Sequence, residues 1–254
     1  MQIGSVIWRL MNYGFFATLK YIETEKLFKS KSKNLKNSYK IIKDPHTFIN
    51  ELNSKLKCEI KAEEVLDKVD SFVGLWTNNK SPDISEFSTK DVKSLVGTKT
   101  RLIAILSIIA SRRFSSLMET GTQFGTTSSL VGYFNNLYQL TAITFDVAKS
   151  PIIMPQSSVE YRNLKWPVRS NFKKISKSLK LRNLIFFHDS DHSYENMKFE
   201  YNWAWNVLNC ESLISDDINA NNAFIEFVNL NNLRPIILQF DSGPLVGIII
   251  REKK

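Results

Sequence analysis

Cysteine is scarce in this chain: Cys58 and Cys210 stand alone among 254 residues. Two cysteines with no paired spacing build neither a disulfide framework nor a zinc cluster, and the scarcity fits a reducing cytoplasm. Long apolar runs are also missing. None reaches the eighteen or so residues that a membrane-spanning helix requires. The strongest candidate, Leu102 to Ala110, ends before Arg112 and Arg113 and reads as a buried helix packed beside the first strand. No internal repeat is evident. The apolar start of the chain is interrupted by Arg9 and lacks a clear small-residue cleavage site, so a signal peptide is not expected. Acid is absent from Lys26 to Lys43, a stretch holding seven lysines.

What is present describes a globular protein. Hydrophobic residues make up 43% and aromatic residues 12%, enough for a substantial core rather than a disordered chain. The net charge of +9 comes largely from the lysine-rich stretch. Residues 1–43 combine Ile3, Val6, Ile7, Leu10, Met11 and Phe15 at helical spacing with those lysines. Such a segment could lie against anionic lipid headgroups as a peripheral membrane anchor, or form a helix packed on the core or on a second subunit, followed by a solvated linker. Arginine and stacking aromatics are not interleaved with the lysines, so no nucleic-acid partner is expected. Residues 44–97 read as helical lid material that shapes a substrate pocket: Phe48, Leu52 and Leu56 share one face, as do Val65, Val69 and Phe72. Lys80 to Asp83 reads as a turn.

The most informative stretch runs from Leu117 to Thr127. An apolar run leads to Glu119, then to Gly121 and Gly125, then to Thr126, Thr127 and Ser128, residues suited to opening a helix. This order places a tight, side-chain-poor turn between a strand and a helix N-terminus, where backbone N–H groups point outward and a ligand can approach. The third glycine of the dinucleotide fingerprint is missing. A helix over about 125–137 and a strand from Tyr138 to Phe145 follow, ending in Asp146. An acid at the end of the second strand is where such βαβ units bind ribose hydroxyls.

A second constellation, Asn183 to Tyr194, runs from a buried-type strand into His188, Asp189, Asp191 and His192. A helix is predicted over Tyr194–Asn209, with Tyr194, Met197, Tyr201, Ala204 and Leu208 on one face. Next come a strand at Leu213-Ile214 and the pair Asp216-Asp217. In an open parallel sheet both acidic clusters stand at the carboxyl edge, where ligands bind. Asp189, Asp216 and Asp217 would then converge as oxygen ligands for a hard divalent cation such as magnesium. His192, with Asp191 as the second candidate, would take a proton. The strands 235–240 and 245–250, separated by Asp241-Ser242-Gly243-Pro244, form an antiparallel last pair.

These motifs, in this order, resemble those of class I S-adenosylmethionine-dependent methyltransferases, especially antibiotic and sugar O-methyltransferases. The resemblance covers residues 98–254. Glu119, Gly121 and Gly125 match the methionine-binding loop, with Thr122 inside it, and Asp146 matches the ribose-binding acid. Phe187 to Tyr194 resembles the family's "DGDHSY"-type fourth strand, and Asp216-Asp217-Ile218 the "DD" after the fifth. The resemblance implies a Rossmann-like, seven-stranded, mostly parallel α/β sheet with helices on both faces and an antiparallel last strand. It also implies S-adenosylmethionine as cofactor, Asp189 near it, a small-molecule acceptor and, as in metal-dependent members, a magnesium ion on Asp189, Asp216 and Asp217. Two departures stand out: Cys210-Glu211-Ser212 replaces a glycine pair, and His188 replaces an acid or apolar residue. Two other readings remain open. Asp189-Ser190-Asp191 could hold a nucleotide-sugar's metal in a glycosyltransferase, or the chain could bind a cofactor without catalysing a reaction.

Overall fold

A computed structural model describes residues 39–78, 99–122, 125–146, 159–163 and 181–252. Residues 1–38 of the anchor or linker expected over residues 1–43, the Lys80–Asp83 turn and the C-terminal part of the expected lid lie outside them.

Eight strands form one sheet: β1 (Ile41–Ile42), β2 (Ser116–Thr120), β3 (Thr141–Asp146), β4 (Val159–Asn163), β5 (Leu184–His188), β6 (Ser212–Ser215), β7 (Ile236–Leu238) and β8 (Val246–Ile250). Their spatial order is β1-β7-β8-β6-β5-β2-β3-β4. All run parallel except β8, which is antiparallel to β6 and β7. The expected seven strands and antiparallel last strand are present. The eighth is the short edge strand β1, two residues paired with β7.

The helices are α1 (Pro45–Leu56), α2 (Ala62–Asn78), α3 (Lys99–Ala110), α4 (Thr126–Tyr138), α5 (Tyr194–Asn202) and α6 (Ala223–Leu230). They cover both faces of the sheet, and the period-2 alternation of strand side chains decides which residue meets which layer. Leu117, Ile185, Phe187, Ile214, Ile248 and Ile250 pack with α1 to α4. Met118, Leu184, Phe186, Leu213 and Ile249 pack with α5, α6 and the segment between α5 and β6. The apolar faces read from sequence on α1 and α2 are buried, and these residues share one core with the sheet and α3. Pro45 at the first turn and the Asp44 carboxylate, which accepts from the Thr47 N–H at 2.8 Å, start α1.

Two local readings are refined. Helix α3 is buried along its length, but it contacts α1, α2, α4 and β8 rather than lying chiefly beside β2. The helix predicted over Tyr194–Asn209 changes winding at Trp203: residues Trp203–Val207 form a π-helical turn, closed by Leu208 N–H donating to the Trp203 carbonyl. This wider turn brings both Trp203 and Trp205 into the core, which a 3.6-residue period would not do. The Trp203 ring meets Phe186 edge-on at 5.9 Å, and the Arg251 guanidinium stacks 4.0 Å over Trp205. Both cysteines are free, and burial pushes the Cys210 thiol up to about 12. Among the described residues no helix is long and apolar enough to cross a membrane.

Candidate functional site

The chain leaves β2 to build β3 and β4 on one side of it, then returns to place β5 and β6 on the other. Strand order therefore reverses between β2 and β5, and ligands of open α/β sheets bind outside the carboxyl ends of the strands at such a point. The Gly121 turn and the Asp189 loop meet there. The Gly121 N–H donates to the Phe145 carbonyl at 2.8 Å, and the Asp189 N–H to the Thr120 carbonyl at 2.9 Å.

Alternation along the strands divides the polar residues at this edge into two networks. On the α3 and α4 side, Glu119 is 1% exposed. Its Oε2 accepts from the Ser128 hydroxyl of α4 and, at 2.6 Å, from the Thr144 hydroxyl of β3. Burial raises its pKa, with those two hydroxyls and Arg101 pulling the other way. The sequence reading aimed Glu119 at a ligand; its carboxylate instead ties the helix N-terminus to the neighbouring strand. Thr122 is also buried, its hydroxyl 2.5 Å from that of Thr144.

Arg101 completes this network. Its Nη1 lies 2.7 Å from Asp189 Oδ2 and 3.2 Å from Asp216 Oδ2. The charges of Asp189, Asp216 and Glu119 raise the guanidinium's pKa despite burial, so it is a fixed cation. The Asp189 pKa stands well above the usual carboxylate range: burial comes first, Arg101 pulls the other way, and the charges of Asp216, Glu119 and Asp217 act with burial.

The proposed magnesium ligands are thus divided. Asp189 and Asp216 converge as expected, but on a guanidinium. Asp217, with φ of 52°, turns towards His192, whose Nε2 is 3.8 Å from Asp217 Oδ2 and 4.0 Å from Asp189 Oδ1. Among the described residues no three His, Cys, Asp or Glu side chains are grouped so as to hold a metal ion. With Arg101 Nη1 between Asp189 and Asp216, and Asp217 turned away, the donor set does not fit magnesium. The cation that these carboxylates require is carried by the chain itself.

On the opposite side, His188 is fully buried and its Nδ1 lies 2.7 Å from Glu200 Oε2. Glu200 also accepts from Thr120 Oγ1 at 2.5 Å, Ser190 Oγ at 2.8 Å and Asn196 Nδ2 at 3.2 Å. Burial would raise the Glu200 pKa, but the imidazole and these hydrogen bonds hold it below the ordinary range. As the ionised acceptor, Glu200 makes Nδ1 the protonated ring nitrogen of His188. No described group meets His188 Nε2. The His188 ring stands edge-on to His192, centroids 5.3 Å apart. The Tyr201 hydroxyl pairs with Ser215 Oγ at 2.7 Å, and burial pushes the phenol far up.

Gly121 has φ of +87°, and an added Cβ would fall 2.1 Å from the Asp189 carbonyl oxygen and 2.5 Å from Ser190 Cα. From sequence this glycine marks a turn that a ligand can approach. The structure makes it the place where two strand-end loops touch. Gly125, with φ of 73°, forms the N-cap of α4 without a side-chain cap bond. Asp146 ends β3 on the same edge and is 6% exposed. Asp191 is exposed, and its carboxylate accepts from the N–H and hydroxyl of Ser193 at 3.2 and 2.8 Å, which shapes the turn into α5. The structure brings together Gly121, Asp189, Asp216 and His192, and turns Asp191 towards its own helix.

Arg101 and Glu200 were not singled out from sequence, though each left a signal. Arg101 follows Lys99 and Thr100 at the head of an otherwise apolar helix, and a buried cation implies a buried acid. Glu200 stands three residues after Met197 on the apolar stripe of α5, where an acid needs buried partners.

No protein-family model matches this chain, and no curated protein matches it in sequence. Solved structures similar to it include the SAH-bound methyltransferase PaMTH1 of Podospora anserina, with 12% identity and a TM-score of 0.43 over 85% of this chain and 100% of that one. A TDP-rhamnose 3'-O-methyltransferase of calicheamicin biosynthesis has 13% identity and a TM-score of 0.44 over 78% of this chain and 98% of that one. A putative ribosomal RNA methyltransferase from Plasmodium falciparum has 11% identity and a TM-score of 0.41, over 60% and 94% respectively.

Proposed function

We propose that this chain binds S-adenosylmethionine at the β2–β5 switch point and methylates a hydroxyl of a small acceptor. The observation that carries this reading is the meeting of Gly121, Thr122, Gly125, Asp146 and His192 at one carboxyl edge of the parallel strands. This edge has the motif order that the sequence shares with class I methyltransferases. Within it, the backbone of the turn and the Asp146 carboxylate are assigned to the cofactor, Asp146 to its ribose hydroxyls. Glu119 and Asp189 act from beneath. Glu119 fixes the N-terminus of α4 through Ser128, and the Asp189 backbone packs against Gly121. Thr122 braces the turn against β3.

The cofactor supplies an electrophilic methyl group and leaves as S-adenosylhomocysteine. The protein's part is alignment and removal of the acceptor's hydroxyl proton. His192 is the base, its side chain 18% exposed and so reachable. The carboxylates of Asp189 and Asp217, at 4.0 and 3.8 Å, favour the imidazolium formed when it takes the proton. Substrate choice is assigned to the surroundings of this edge, with no nucleic acid as acceptor.

Calorimetric titration with S-adenosylhomocysteine, and separately with uridine and guanosine sugar nucleotides, tests the reading. Saturable binding of S-adenosylhomocysteine, with sugar nucleotides silent, is expected. Binding of a sugar nucleotide alone would replace this reading with the glycosyltransferase one.

A further inference from the structure

Two carboxylate oxygens from different strand ends, Asp189 Oδ2 after β5 and Asp216 Oδ2 after β6, converge on one nitrogen of Arg101, at 2.7 and 3.2 Å. Both side chains are largely buried, as is that of Arg101, each at most 10% exposed. An oxygen pair held this way is a ready chelate for a hard cation: magnesium binds through one or two carboxylates at about 2.0–2.1 Å and completes its shell with water. The position such an ion would take between the two oxygens is the position of Nη1. A guanidinium cannot lose its charge or share that space with a divalent ion.

We propose that Arg101 is the resident cation of a latent two-carboxylate metal site, and that it makes this protein insensitive to divalent ions. The inference does not depend on the cofactor reading, because it concerns only the α3, β5 and β6 ends. It assigns Arg101 a positioning role: the guanidinium draws the Asp189 loop and the Asp216 loop together beneath Gly121. Removing the guanidinium leaves two converged buried carboxylates, with the charge of Glu119 also acting on Asp189. Such a group needs either protons or a new cation.

The experiment titrates Mn2+ against the full chain, followed by the loss of the free-ion electron paramagnetic resonance signal and by thermal unfolding. Wild-type protein is expected to show neither stoichiometric Mn2+ uptake nor a rise in Tm. Arg101→Gln is expected to gain one Mn2+ site and a metal-dependent rise in Tm, and to lose both when Asp189→Asn is added. Folding of Arg101→Gln only in the presence of Mn2+ would be the same result in stronger form. Should Arg101→Gln fail to fold with or without Mn2+, the double variant Arg101→Gln/Asp189→Asn is the second test. Its recovery of a cooperative unfolding transition would mark Arg101 as a counter-ion. Its failure as well would make Arg101 a packing residue and overturn the proposal. A stoichiometric wild-type site abolished by Asp216→Asn, or a folded Arg101→Gln that takes up no Mn2+, would also overturn it.

Discussion

The β-carbon that Gly121 lacks would stand 2.1 Å from the carbonyl oxygen of Asp189. This contact locks the turn after β2 against the loop after β5. It joins the glycine-containing motif and the acidic motif, which lie far apart in sequence, into one backbone unit.

Gly121→Ala should therefore destabilise the fold as well as disturb the proposed site. The methyl group cannot be accommodated without moving the Asp189 backbone, and φ of +87° disfavours any side chain. The expected cost is about 3 kcal/mol, a fall in Tm of about 6–12 °C for a chain of this size. Thermal unfolding checks it; a wild-type Tm would show that the two loops are not in contact.

Gly74→Ala is the opposite case. Gly74 lies inside α2, and nothing stands within 4 Å of an added Cβ. Alanine there should stabilise by about 0.5–1 kcal/mol, because glycine loses more backbone entropy on entering a helix. Denaturant unfolding should move to a higher midpoint with an unchanged slope.

Glu200→Gln should cost about 2–3 kcal/mol at neutral pH, since it removes the carboxylate beside His188 in a buried network. The native pKa of Glu200 is depressed, so its stabilisation is fully present above the unfolded glutamate value of about 4.3. That stabilisation is lost as pH falls through the native value. The stability gap between wild type and variant should shrink when pH is lowered through that window. A gap constant from pH 7 to the acid limit would contradict the assignment.

Asp146→Asn should weaken S-adenosylhomocysteine binding about tenfold, the equivalent of about 1.4 kcal/mol, by replacing an acceptor of ribose hydroxyl protons with an amide. Calorimetry of the variant at unchanged affinity would remove Asp146 from the site.

The sequence alone determined the strands that carry the site, the helices α1 to α4 and their order, but not the edge strands β1 and β4. Continuous apolar runs such as Leu184–Phe187 must be buried on both faces, which demands a parallel sheet covered by helices, and Asp241 to Pro244 placed the reversed strand β8. The strand-end positions of Glu119, Asp146, Asp189 and Asp216 were also legible, because acids end buried strands where the chain meets water or a ligand. Tertiary structure decided what those acids touch. Arg101 and Asp189 are separated by 88 positions in the chain, and no local spacing records that α3 delivers a guanidinium between two strand ends. Strand alternation then sent Glu119 and Asp216 to the α3 side and His188 to Glu200 on the other. The local pattern gives a side chain its direction, while its partner depends on which helix packs against that face, a choice made only when the whole core closes.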